Sequence, residues 1–233
     1  MYQDRCIFFS KMGACRHGDH CTKVHVRPTA SPTVLFPMMY PNPMAIEHIQ
    51  DRQWDFQFDR KYVKRHFKRF YKETWRIFME LGRIAELRVV SNLGDHLLGN
   101  VYIRFEDPAD ASRVARDLKA KKFNEIILLP ELSPVINFAD ACCKEDLEGK
   151  CGRGTQCNYL HIIKVSRKLM SRLEREQDSY WKKKDDHSSG NERKRDRSKE
   201  RGRDRSRSPR PYASDLCHIC GKTGHISREC PLK

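Results

Sequence analysis

Twelve residues of this chain form three sets of soft, metal-ligating side chains, and together they use nine of its ten cysteines. Cys6, Cys15, Cys21 and His25 read C-x8-C-x5-C-x3-H, and Cys143, Cys151, Cys157 and His161 read C-x7-C-x5-C-x3-H. Cys217, Cys220, His225 and Cys230 read C-x2-C-x4-H-x4-C, a knuckle with Gly221 and Gly224 where the chain turns tightly. Three thiolates and one imidazole close a tetrahedral shell that suits zinc and leaves no position open for a reacting water. Three structural zinc ions are expected, and no enzyme. A zinc deaminase would need a His-x-Glu element beside a Pro-Cys-x-x-Cys element, which the sequence lacks. Cys142 lies beside Cys143 and would restore the x8 spacing, so spacing leaves open which of the two is the ligand. Disulfides are the alternative use of so many cysteines. Met1 to Arg5 opens no signal peptide, however, and each group carries a histidine at fixed offset, which points to a reduced cytosolic or nuclear compartment.

The elements that must hold these sites are legible from periodicity. Residues 1–28 form the first finger. Residues 29–50 read as a linker, because Pro28, Pro32, Pro37, Pro41 and Pro43 delete backbone donors through the lead-in. A compact domain is expected over 51–138. Trp54, Phe56 and Phe58 alternate with Asp55 and Gln57 as its first strand, and Asp59 caps a long helix ending near Gly82 whose apolar stripe runs from Val63 to Leu81. Ile84 to Val90 is a second strand. Gly99 to Phe105 is a third, with Val101, Ile103 and Phe105 on one face and Asn100, Tyr102 and Arg104 on the other. Asp107 and Pro108 open a second helix. Ile126 to Leu129, or its continuation to Leu132, supplies a fourth strand. The order βαββαβ is the split plan of an RNA recognition motif, an antiparallel sheet with two helices on one face.

The second finger spans 139–165 and a short amphipathic helix 166–181. Residues 182–213, nearly devoid of apolar side chains and rich in Arg and Ser, are expected to be disordered and open to charge reversal by phosphorylation. The knuckle closes the chain at 214–233. The fold class is therefore α+β: a recognition-motif sandwich flanked by two CCCH fingers, then an Arg/Ser tail and a CCHC knuckle.

A formal charge of +15 over 233 residues favours a polyanionic partner. With nine zinc-bound thiolates and three ions the value is roughly +12. No apolar run approaches membrane-spanning length, which leaves anionic lipid a weak competitor to nucleic acid. Aromatics and cations sit within the fingers. Phe8, Phe9 and Tyr159 offer stacking faces, and Arg16, Lys23, Lys144 and Arg153 can meet phosphates or base edges. Phe8 and Tyr159 could instead merely cover the zinc sites. In the knuckle, His218 and Ile226 flank the turn where a base could be gripped, and Lys222 and Arg228 can hold its phosphates.

Several segments resemble the small subunit of the U2AF splicing factor over roughly residues 1 to 175. They are Gly13-Ala-Cys-Arg-His-Gly-Asp-His-Cys21, Asn92-Leu-Gly-Asp-His-Leu-Leu-Gly-Asn-Val-Tyr102, Glu131-Leu-Ser-Pro-Val135, Ala141-Cys-Cys143 and Cys157-Asn158. The knuckle, Cys217-His-Ile-Cys-Gly-Lys-Thr-Gly-His-Ile226, looks like retroviral-type knuckles that hold single-stranded RNA. The resemblance implies a nuclear factor whose two fingers read the AG of the 3′ splice site in pre-mRNA, with Thr22 at a base-contacting position. It also implies a recognition-motif domain that binds a tryptophan-containing peptide of the U2AF large subunit instead of RNA. In agreement, Asn100 stands where an RNA-binding version has an outward aromatic, and only Tyr102 remains.

The sequence departs from the family's pattern at three places. The family's Arg-x-Phe loop is Lys121-Lys122-Phe123 here, and its acidic first helix is basic, with Arg60, Lys61, Lys64, Arg65, Lys68, Arg69 and Lys72. A basic ligand peptide would be repelled, so the partner has changed its charges or this helix faces RNA or another, acidic protein. Asp146 and Gln156 stand where the second finger of the family carries aromatics. The competing reading is a CCCH and knuckle RNA-binding factor of mRNA 3′-end processing or decay, whose relatives typically lack a recognition motif between two fingers.

Overall fold

The computed structural model describes residues 4–45 and 58–203. The chain divides into two units, Met1–Lys182 and Lys183–Lys233. In the first, the elements in chain order are α1 Ile7–Met12, β1 Thr33–Phe36, α2 Arg60–Met79, β2 Ile84–Val89, β3 Val101–Phe105, α3 Pro108–Asp117, β4 Lys122–Phe123, β5 Ile126–Ile127, β6 Glu131–Leu132, α4 Phe138–Ala141 and α5 Lys144–Leu147, followed by α6, Arg167–Arg203. Single 3₁₀ turns occupy Gly18–His20 and Gly154–Gln156.

The sheet has the order β2-β3-β1-β6 with every neighbour antiparallel, which is the recognition-motif arrangement. Its first strand is not where periodicity put it. Trp54 to Gln57 lie outside the described residues, Phe58 is not in a strand, and β1 comes from the proline-flanked segment expected to be a linker. The reason lies in burial. Val34 and Phe36 face the helices while Leu35 faces the fingers, so both sides of this central strand are covered and no polar alternation marks it. The prolines sit at its borders, where no ladder hydrogen bond is lost: the carbonyl of Pro32 accepts from the Phe105 N–H. The fourth strand also divides, with Ile126–Ile127 turning back on Lys122–Phe123 as a hairpin and Glu131–Leu132 alone reaching β1.

The two helices over one face follow their caps. The Asp59 and Asp107 carboxylates accept from the Lys61 and Ala109 N–H groups, and Pro108 takes the first turn of α3. Phe67, Phe70, Tyr71, Trp75 and Phe78 of α2 pack on Val34, Phe36, Leu87, Val101, Ile103 and Phe105 as the main core. Gly99 makes the entry to β3 possible. Its φ of +65° is one that L side chains rarely adopt, and a Cβ there would lie 2.6 Å from the Tyr40 carbonyl oxygen.

The helix α6 packs Leu169 and Leu173 onto this core, and the buried Gln177 amide pairs with both the N–H and the carbonyl of Ile84 at the edge of β2. That contact helps close an edge that would otherwise be open to another chain. The helix runs on to Arg203 through residues expected to be disordered. Lys, Arg and Glu have good helix propensity and can continue a helix begun by packing. Residues 204–213 and the knuckle lie outside the described residues.

Candidate metal centres and nucleic-acid interface

Each finger is built the same way. The first cysteine stands at the N-cap of a one-to-two-turn helix, Cys6 before α1 and Cys143 before α5, and the second and third flank a 3₁₀ turn. Burial works against ionisation of Cys6 and Cys143. The backbone N–H groups at the helix starts and the neighbouring thiols outweigh it, and both thiols are held below the ordinary value.

The ligand atoms of Cys6, Cys15, Cys21 and His25 lie within 4.8 Å of one another, as do those of Cys143, Cys151, Cys157 and His161. His25 Nε2 and His161 Nε2 are both buried without a hydrogen-bond partner, each in a ring beside three sulfurs. A cation supplies the partner that these nitrogens lack, so the donor sets fit zinc. The choice left open at 142 and 143 is resolved in favour of Cys143. Cys142 points its half-buried thiol into the apolar cluster between sheet and finger.

The residue Asp146, a departure from the family's pattern, has a task in this site. His161 Nδ1 lies 3.2 Å from Asp146 Oδ1, and burial holds the imidazole below its ordinary pKa. A neutral ring that donates from Nδ1 keeps the Nε2 lone pair for the metal. Phe9 does the equivalent packing in the first finger, with its ring stacked on His25 at 4.3 Å and 7°.

Both fingers sit on the sheet face that an RNA-binding version would expose. Met12, Leu35, Val90, Tyr102, Val135, Phe138, Ala141 and Leu160 form a second core between sheet and fingers. Tyr102, expected to point outward, is fully buried, and its hydroxyl donates to the Met12 carbonyl oxygen at 2.6 Å. Asn92, whose residue type carries no signal of its own in the sequence, is a scaffold for the second finger. Its amide donates to the Cys157 and Tyr159 carbonyls and its oxygen accepts from the His161 N–H, tying the second finger to the strand β2 side of the sheet.

The candidate RNA contacts separate into three groups. Phe8 and Tyr159 are half-buried and meet edge-to-face at 5.8 Å across the seam between the fingers, with Lys11 6.0 Å over the Tyr159 ring. Arg16, Thr22, Lys23 and Lys144 are exposed, Lys23 pairing with Asp4 at 2.8 Å. Phe9 is buried, and Arg153 lies along its own site, with Nε 3.2 Å from Cys157 Sγ and Nη2 3.0 Å from Glu145. Phe9 therefore presents no open face for stacking, whereas Arg153 stays exposed beside its zinc site. Likewise Lys121 and Lys122 are exposed, but Phe123 packs on Phe70 and Phe78 in the main core and offers no ring to a partner. His218, Lys222, Ile226 and Arg228 lie outside the described residues.

Comparison with known proteins agrees with this architecture. The zinc finger C-x8-C-x5-C-x3-H type (and similar) family matches residues 2–27, and the zinc knuckle family matches 215–232. The chain is 36% identical over 168 residues to the splicing factor U2AF 26 kDa subunit of Rattus norvegicus, covering 72% of this chain and 76% of that protein. It belongs to the U2AF small-subunit family. Within that family, the splicing factor U2AF 23 kDa subunit of Schizosaccharomyces pombe is 36% identical, with 72% of this chain and 75% of that protein covered. The splicing factor U2af 38 kDa subunit of Drosophila melanogaster is 39% identical, and this chain spans 63% of its length. As a U2AF small-subunit homologue with two Cys/His clusters and a knuckle, the chain is a zinc protein.

Proposed function

We propose that this protein is a nuclear pre-mRNA splicing factor whose two CCCH fingers together read the AG of the 3′ splice site. The observation that carries the reading is the seam between the fingers. Phe8 of one and Tyr159 of the other touch over the covered sheet face, with Lys11 over the Tyr159 ring and with Arg16, Lys23 and Lys144 exposed on the two fingers. One single strand could stack on these rings while its phosphates meet the cations. The recognition-motif sheet then serves as a platform that holds the fingers and does not itself read bases. Thr22, exposed directly after Cys21, is the side chain we assign to a base edge.

Zinc, when bound, supplies folding energy and no reaction chemistry, since each shell is complete. The knuckle extends the footprint through a tether, raising effective concentration for long RNA. A large-subunit-like partner carrying neutral or acidic flanking charges engages the domain near the exposed Lys121 and Lys122. Transcriptome-wide crosslinking tests the function. Contacts piled up at intron-terminal AG are expected, whereas contacts concentrated at polyadenylation sites would replace this reading with 3′-end processing.

A further inference from the structure

A groove of about 460 Å³ opens between α2 and the segment leading into α6. That volume lies in the range of sites that take ligand side chains. Its wall on α2 is Val63 and Phe67, one helical turn apart, with Leu169 facing them from α6. Its charged lining residues are Lys64, Lys68 and Lys164, all exposed, and no carboxylate lines it. Because Lys64 and Lys68 also stand four residues apart, they make a cationic row parallel to the apolar row of Val63 and Phe67. Lys164 adds a charge from the opposite wall.

This groove is separate from the hairpin side of the domain. There α2 presents a different flank, His66, Arg69, Phe70 and Glu73, toward Asn124 and Ile126, and a carboxylate is present. It is also separate from the finger seam, none of whose zinc ligands or aromatics line it.

The groove makes two chemical demands on an occupant. Apolar side chains must displace water from its floor, where burying apolar area is favourable. Negative charge must lie on both sides of them, because a basic peptide would meet three lysines as well as the exposed Arg60, Lys61 and Arg65 of the same helix. A nucleic-acid strand meets the second demand but brings no aliphatic anchor. We propose that the groove docks an acidic, amphipathic segment of a partner protein, with its apolar side chains between α2 and the start of α6 and its carboxylates against Lys64, Lys68 and Lys164. This is the groove mode of peptide recognition, with specificity set by charge sign.

The test uses the full-length, zinc-loaded protein and a fluorescent acidic peptide carrying Leu and Trp anchors, beside a counterpart with every acidic residue changed to Lys. Anisotropy titrations should show the acidic peptide binding at least about tenfold more tightly, with affinity that falls as salt rises. Lys64→Glu/Lys68→Glu/Lys164→Glu should abolish that preference, and Val63→Asp should weaken binding about tenfold while the melting curve stays close to wild type. Four results would overturn the proposal: no binding, equal binding of the two peptides, acidic-peptide binding untouched by the lysine variant, or complete displacement of the peptide by single-stranded RNA. A photo-crosslinker placed at position 63 distinguishes one more case. Capture of the added peptide supports the proposal; capture of residues 46–57 of the same chain in its presence would sink it.

Discussion

Replacing Tyr102 by Phe removes one hydroxyl from the junction between sheet and first finger. That hydroxyl is fully buried and donates to the Met12 carbonyl oxygen at 2.6 Å, at the last residue of α1. The variant keeps the ring and its edge-to-face contact with Phe138 at 5.9 Å, so no cavity opens and the finger stays seated. What changes is that a buried carbonyl loses its donor, an effect worth about 1–3 kcal/mol. For a unit of this size each kcal/mol moves the melting temperature by about 2–4 °C, so a fall of about 2–12 °C is expected. The assay is thermal unfolding in zinc-saturated buffer, paired with titration of an AG-containing RNA well below the transition. RNA affinity should stay within about twofold of wild type, because the tyrosine lies under the finger and not in the RNA path. An unchanged melt together with lost RNA binding would refute the reasoning, since it would make Tyr102 an exposed base contact.

Other perturbations separate the roles of neighbouring residues. Metal analysis should return three zinc ions per chain. Cys143→Ser should lower that to two and Cys142→Ser should leave it unchanged, and a loss of zinc in the second variant would reverse the ligand assignment. Phe8→Ala should weaken RNA binding several-fold with zinc retained, as expected for about 1–3 kcal/mol of stacking. Phe9→Ala should instead loosen the first zinc site, seen as faster release of zinc to a chelator, because its ring supports His25. Gly99→Ala should destabilise by about 1–3 kcal/mol, read from the denaturation midpoint, since it combines a left-handed φ with a clash at the Tyr40 carbonyl. Glu86 is disfavoured by burial as an anion, but Arg88 and Arg104 outweigh this and hold its carboxyl below the ordinary value. A group depressed in this way stabilises above its unfolded pKa and loses that contribution as pH falls through the folded one. The melting temperature should therefore drop below about pH 4.5, and less steeply in Glu86→Gln.

Much of the molecule was legible because its signals are local. Asp59, Asp107 and Pro108 mark helix starts by their own chemistry, and Val101, Ile103 and Phe105 mark a strand with one apolar face toward the helices. The zinc sites were legible for a stronger reason: three thiols and an imidazole at short fixed spacings must converge wherever the chain is placed. Asp146, by contrast, carried no such signal. As a residue type it looked like a lost aromatic, and only the fold brings its carboxylate to His161.

What sequence by itself determined is the inventory: two fingers, a recognition-motif plan and a knuckle pattern, each written in short-range spacing or periodicity. What only the tertiary structure decided is which faces remain open. The strand β1 escaped notice because helices cover one side and fingers the other, and a strand buried twice loses the alternation by which strands are recognised. The same stacking of fingers on sheet buries Tyr102, draws Phe9 onto His25 and sets Phe8 against Tyr159. A side chain's type says what it can bind, but its exposure is fixed by contacts between residues up to about a hundred positions apart, which no local pattern records.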